Sequence, residues 1–141
     1  EQGTRAAGLM VDKALLRENA VTPRAGASAA DTILDQLAAP TAISCAVDFA
    51  ALGVYRTAQA RGVTIGKDLS VVAYDGIPEG AHVQPQLTTF SVDNRVAGSR
   101  LATLLIRRIR NEPTENLRET VPATFLDRGS TGPVNFRPTI N

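Results

Sequence analysis

Residues 41–89 constrain the fold more than any other part of the chain: TAISCAVDFAALGVYRTAQARGVTIGKDLSVVAYDGIPEGAHVQPQLTT. A short apolar run, Thr41 to Val47, leads through Asp48 into a segment whose Ala51, Leu52, Tyr55 and Ala58 repeat every three or four residues. That spacing predicts a helix capped by Asp48 and ending at Arg61, with Gly62 supplying the left-handed stop. A second apolar run, Leu69 to Tyr74, is near-continuous, as in a strand covered on both faces. Strand, helix and strand in this order make a parallel βαβ unit. The second strand ends on Tyr74-Asp75-Gly76, which leaves a carboxylate at the carboxyl edge of the sheet. Open α/β sheets bind ligands at that edge.

The rest of the chain extends an α/β pattern. Residues 3–18 read as a helix with a loosely periodic apolar face. Residues 20–24 read as extended, and Ser28 as the N-cap of a helix running to Ala39, where Pro40 stops it. Residues 76–86 carry Gly76, Pro78, Gly80 and Pro85 and read as a loop. A strand at Leu87 to Val92, a long amphipathic helix from Asp93 to Asn111, a polar connection and a last strand at Val121 to Leu126 complete the pattern. The apolar side of the long helix carries Val96, Leu101, Leu104, Leu105 and Ile109.

Composition narrows the function classes. The 141 residues carry a net charge of +1 with both signs mixed, so no basic footprint for nucleic acid is present. No apolar run approaches the ~18 residues that span a membrane. One histidine, His82, and one cysteine, Cys45, cannot form a structural zinc site or an internal disulfide. Neither a P-loop nor a G-x-G-x-x-G occurs. Asp31 and Asp35 share a helix face and read as solvated, and Arg107, Arg108 and Arg110 complement a helix C-terminus. No catalytic constellation emerges, so the expectation is a protein that is not an enzyme and needs no cofactor or metal. The chain opens on Glu1 rather than Met and is read as incomplete.

Several features then coincide in order: Thr41-Ala42-Ile43, Asp48, Ala51-Leu52-Gly53, Leu69-Ser70-Val71-Val72, Tyr74-Asp75, Leu87-Thr88-Thr89, Gly98 and Arg128-Gly129-Ser130-Thr131. As an ordered set over residues 3–131 this closely resembles the effector-binding core of the lactose-repressor (LacI) family of bacterial transcription regulators. The resemblance implies the type-I periplasmic-binding-protein-like fold, with two lobes that are each a doubly wound parallel sheet. It assigns residues 1–87 and 121–141 to the C-terminal lobe, lacking its first strand, and residues 88–120 to a remnant of the N-terminal lobe. The family's N-terminal helix-turn-helix, its contact to operator DNA, is absent from this sequence.

The same resemblance implies site residues. Asp75 matches the effector-binding aspartate and Arg5 the effector-binding arginine. From the residues alone, Asp75 reads first as a turn former before Gly76 and Arg5 as a solvated arginine at a helix start. Val47 and Val92 stand where the family usually has polar side chains, Asn at the first and often Gln at the second. Their loss of donors and acceptors implies an effector less hydroxylated than a free hexose, sugar-like or partly apolar. The family's two-fold contact falls on Leu52, Tyr55, His82 and Val83, implying a homodimer. The reading is therefore a cytoplasmic effector-sensing core of a transcription regulator, with a periplasmic solute-binding protein for a sugar-like ligand as the alternative.

Overall fold

A computed structural model describes residues 2–8, 10, 12–36 and 39–134. Its centre is a four-stranded sheet in the order β1 (Ala42–Ser44), β2 (Ser70–Asp75), β3 (Thr88–Ser91) and β4 (Thr124–Leu126). β1 and β2 run parallel with Ile43 opposite Val71, and β2 and β3 run parallel with Asp75 opposite Ser91. β4 closes the described sheet antiparallel to β3, with Phe90 opposite Phe125. The helices are α1 (Gln2–Ala6), α2 (Pro23–Leu34), α3 (Asp48–Ala60) and α4 (Asn94–Ile109).

The βαβ unit forms as its sequence pattern requires. Ala51, Val54 and Ala58 of α3 meet Val71 and Ala73 of β2, together with Leu69, Ile65, Leu87 and Ala30, in one buried cluster. Fully burying a side chain such as Leu69 or Leu87 contributes about 1.5–3 kcal/mol. β2 is covered less evenly than its apolar run suggested. Val71 and Ala73 are buried, whereas Val72 is half-buried and Tyr74 is exposed.

α2 and α3 cross at backbone contact. A Cβ on Gly26 would overlap the Ala50 carbonyl, and one on Gly53 would overlap the Pro23 carbonyl. The Thr57 hydroxyl donates to the Ala27 carbonyl across the same crossing, at 3.1 Å. At the far end Arg61 joins Asp31 at 2.9 Å and Asp35 at 2.7 Å, so these two carboxylates are paired rather than simply solvated.

The motifs near the C-terminus form a buried polar lattice. The Ser130 hydroxyl is fully buried; it donates to the Val71 carbonyl at 2.6 Å and accepts the Thr88 N–H at 2.8 Å. Val71 returns its own N–H to the Ser130 carbonyl at 2.8 Å. The Thr88 side chain accepts the Arg128 N–H at 3.0 Å. Buried polar atoms are normally paired; here Thr88, Ser130 and Val71 satisfy one another, while Nη1 of Arg128 is buried with no hydrogen-bond partner among the described residues.

Several boundaries differ from the sequence expectation: β1 ends at Ser44 rather than Val47, β4 begins at Thr124 rather than Val121, and two helices are shorter or shifted. The helix expected over residues 3–18 stops at Ala6. Gly8 takes a positive φ of 73°, and Met10 beyond it is 96% exposed. The second helix begins at Pro23, capped by the Thr22 hydroxyl accepting the Ala25 N–H, and not at Ser28. Proline at the first helical position carries no N–H that would need a partner. That helix also ends at Leu34 rather than Ala39.

Candidate functional site at the carboxyl edge of the sheet

β2 delivers Asp75 to the edge of the sheet in an unusual backbone state. Its φ is 133°, in the region that side-chain-bearing residues rarely adopt, and Gly76 follows at 78°. Such conformations persist only where surrounding contacts over-determine them. Here those contacts can be named. The Val92 N–H donates to the Asp75 carbonyl at 3.2 Å. Gly76 lies so close to Ser91 that a Cβ would overlap that side chain. The next two backbone N–H groups, of Gly76 and Ile77, both donate to Oδ2 of Asp48 at 2.9 Å.

Asp48 is not the N-cap that its position suggested. The cap residue is Val47, in extended conformation and without a capping side-chain bond. Asp48 is the first helical residue of α3 and is fully buried. Its second oxygen, Oδ1, accepts the Thr89 hydroxyl at 2.6 Å. All three partners are donors and the carboxylate sits at the positive end of α3, which together offset the cost of burying it. Its signal in the sequence was ambiguous, because an Asp between strand and helix reads first as a cap. Nothing in local spacing announces partners 28 and 41 residues away.

The fold thus brings Val47, Asp75 and Val92 to one edge: Val47 precedes Asp48, Asp48 holds the Asp75 turn, and Val92 hydrogen-bonds to Asp75. Val47, Asp75 and Val92 are each half-buried. Arg5 lies apart from this sheet edge in chain terms, exposed on the short helix α1. Beside the edge stand exposed aromatic rings, with Phe90 of β3 packed on Phe125 of β4 at a centroid distance of 4.9 Å. Among the described residues no group of three His, Cys, Asp or Glu side chains could hold a metal ion. Among these described residues no helix is long and apolar enough to cross a membrane.

A concavity flanks α3. It has a volume of about 510 Å³ and is lined by Leu52, Tyr55, Arg56, Val63, Val83 and Pro85, among others. The Tyr55 hydroxyl donates to the Pro85 carbonyl at 2.8 Å, and burial pushes its pKa up to about 12. Tyr55 and Val83 lean on the core cluster, whereas Leu52 is half-buried and stands outside it. His82 is exposed at the end of the 3-10 turn Pro78–Ala81.

A mostly parallel sheet of this order, flanked by helices, defines an open α/β domain. The chain belongs to the periplasmic binding protein-like domain family, whose profile matches residues 1–131. Among curated relatives it is similar to the HTH-type transcriptional regulator AglR of Rhizobium meliloti, 36% identical over 135 residues, covering 92% of this chain and 37% of the relative. Among solved structures it resembles the transcriptional regulator CelR in complex with cellobiose, at 29% identity and a TM-score of 0.83, covering 92% of this chain and 39% of that one. It also resembles a LacI-family transcriptional regulator from Enterococcus faecium with bound ribose, at 30% identity and a TM-score of 0.67, covering 81% of this chain and 42% of that one. The chain therefore spans well under half the length of these relatives.

Proposed function

We propose that this chain is part of the effector-sensing core of a LacI-type transcription regulator. A small molecule binds between two lobes and changes their relative angle. That change alters how a dimer presents helix-turn-helix domains lying N-terminal to this core. The observation that carries the reading is the Asp75 turn: a carboxylate held in a strained backbone at the ligand edge of the sheet. The sugars bound by the CelR and Enterococcus faecium structures support a sugar-like effector. The curated relatives are regulators, which favours regulation over solute transport. No chemistry on the effector is part of this reading, and its setting is the cytoplasm.

In this reading residues 1–87 and 121–141 form one lobe and residues 88–120 belong to the other. Asp75 accepts hydroxyl hydrogen bonds, with Arg5 as a second polar contact. Val47 and Val92 flank Asp75 with β-branched apolar surface, which suits an apolar sugar face or an aglycone better than a ring of free hydroxyls. Calorimetric titration of the full-length protein with ribose, cellobiose, free hexoses and aryl glycosides tests this. Hydrogen bonds to a charged group contribute about 1.5–3 kcal/mol. Asp75→Ala is therefore expected to weaken the preferred ligand at least tenfold. Tight binding of an unmodified hexose, indifferent to Asp75→Ala, overturns the proposal.

A further inference from the structure

We infer that Asp48 is a positioning residue for the effector site, one that clamps the turn carrying Asp75 and ties it to β3 through Thr89. This deepens the effector reading above and rests on it. The Asp75 turn must keep two successive residues at positive φ, 133° and 78°. A turn with that preference relaxes unless its N–H groups are held. The only acceptor described for the Gly76 and Ile77 N–H groups is Oδ2 of Asp48, at 2.9 Å from each. Charge-assisted bonds of this kind are roughly twice as strong as neutral ones.

The other oxygen makes the clamp a link. Oδ1 takes the buried Thr89 hydroxyl at 2.6 Å. Thr89 lies in the middle of β3, the strand that also supplies Ser91 against Gly76 and leads into Val92, whose N–H reaches Asp75. One fully buried carboxylate therefore holds the start of α3, the end of β2 and β3 in fixed relation. Residues 88–120 are those proposed to belong to the second lobe. A shift of β3 when the lobes move thus pulls on the turn that presents Asp75, and a ligand on Asp75 pulls on β3. Helix capping alone predicts none of this, since the bonds of the Asp48 carboxylate run to Gly76, Ile77 and Thr89 rather than to its own helix.

Amide hydrogen exchange in the ligand-free, full-length protein tests the clamp. Asp48→Asn preserves shape but replaces an acceptor oxygen with a donor. It is expected to speed exchange at Gly76 and Ile77 at least tenfold, while the Cys45 amide, bonded to the Val72 carbonyl at 2.8 Å, keeps its protection. Thr89→Val leaves both turn bonds available and removes only the link. It is expected to raise exchange at the same two amides by a smaller factor, and Thr89→Ser to restore them. Unchanged protection at Gly76 and Ile77 in Asp48→Asn overturns the inference, and so does an equal loss across β1 and β2, which is the mark of general destabilisation. If Asp48→Asn does not fold, the Val and Ser variants at position 89 decide: identical exchange at Gly76 and Ile77 overturns it. Titration of the same proteins with ribose and cellobiose separates this from the effector reading. Sugar binding indifferent to Asp75→Ala removes that reading, while the exchange pattern still decides the role of Asp48.

Discussion

Cys45 follows β1 and gives its backbone N–H to the Val72 carbonyl, which leaves the thiol between the core and the buried charge of Asp48. Burial first, and that charge second, push its pKa from 9.0 up to about 11. The thiolate is the nucleophile, and each pKa unit changes its fraction about tenfold. Alkylation of Cys45 by iodoacetamide near pH 8 should therefore run about 100-fold slower than that of an unfolded peptide of the same sequence. Mass spectrometry over time measures the difference, and equal rates would show that the thiol does not feel this environment. The sign for stability follows from the same shift. A folded-state pKa raised above the unfolded one contributes stability that is whole below pH 9.0 and is lost as pH rises toward 11.

The crossing of α2 and α3 shows how much an element depends on a missing side chain. Gly53→Ala would drive a methyl group into the Pro23 carbonyl and the Ala27 amide, both backbone and neither able to yield cheaply. Overpacking of this kind costs about 1–3 kcal/mol. Gly98→Ala in α4 meets nothing within 4 Å, so replacing glycine in a helix there should be neutral or add up to about 1 kcal/mol. Urea unfolding should show Gly53→Ala clearly destabilised and Gly98→Ala no less stable than the parent; a Gly53→Ala protein as stable as the parent would mean that the helices part freely. The same helices show what could be read in advance. α3, α4 and β2 carry strong periodicity and strand-like runs, and they stand within a residue or two of expectation. The start of α2 was written in Thr22-Pro23, a cap followed by proline, but Ser28 offered a competing cap. The early helix failed because periodicity does not reveal whether a face finds a partner. The place of Asp75 at the end of β2 was legible because a strand end needs no tertiary information. The role of Asp48 was not, because its three bonds exist only once β2 and β3 lie side by side.

At the scale of the whole molecule, two apolar surfaces among the described residues bear on assembly. α4 buries none of its described side chains, and Leu101, Leu105 and Ile109 are each more than 60% exposed. That face matches the proposal that residues 88–120 belong to a second lobe, which would cover it. The other surface is the concavity around Leu52. Residues that face their own core are accounted for on α3 by Ala51, Val54 and Ala58. Leu52 is half-buried without joining them, and it shares the concavity with Tyr55, Arg56 and Val83. An apolar centre with a polar margin suits an isologous contact, in which the same patch serves both partners. Tyr55 is already fixed by its bond to the Pro85 carbonyl, so little side-chain freedom remains to be lost on pairing. Two glutamates per subunit, at Leu52 and Val83, would put four carboxylates into one two-fold contact, where like charges repel and must be desolvated. The double variant Leu52→Glu/Val83→Glu of the full-length protein should therefore be a monomer by light scattering, with unchanged circular dichroism. The single variant Arg56→Ala, at the margin, should remain a dimer. A double variant that still scatters as a dimer would place the contact on another surface, with the apolar face of α4 the next to test.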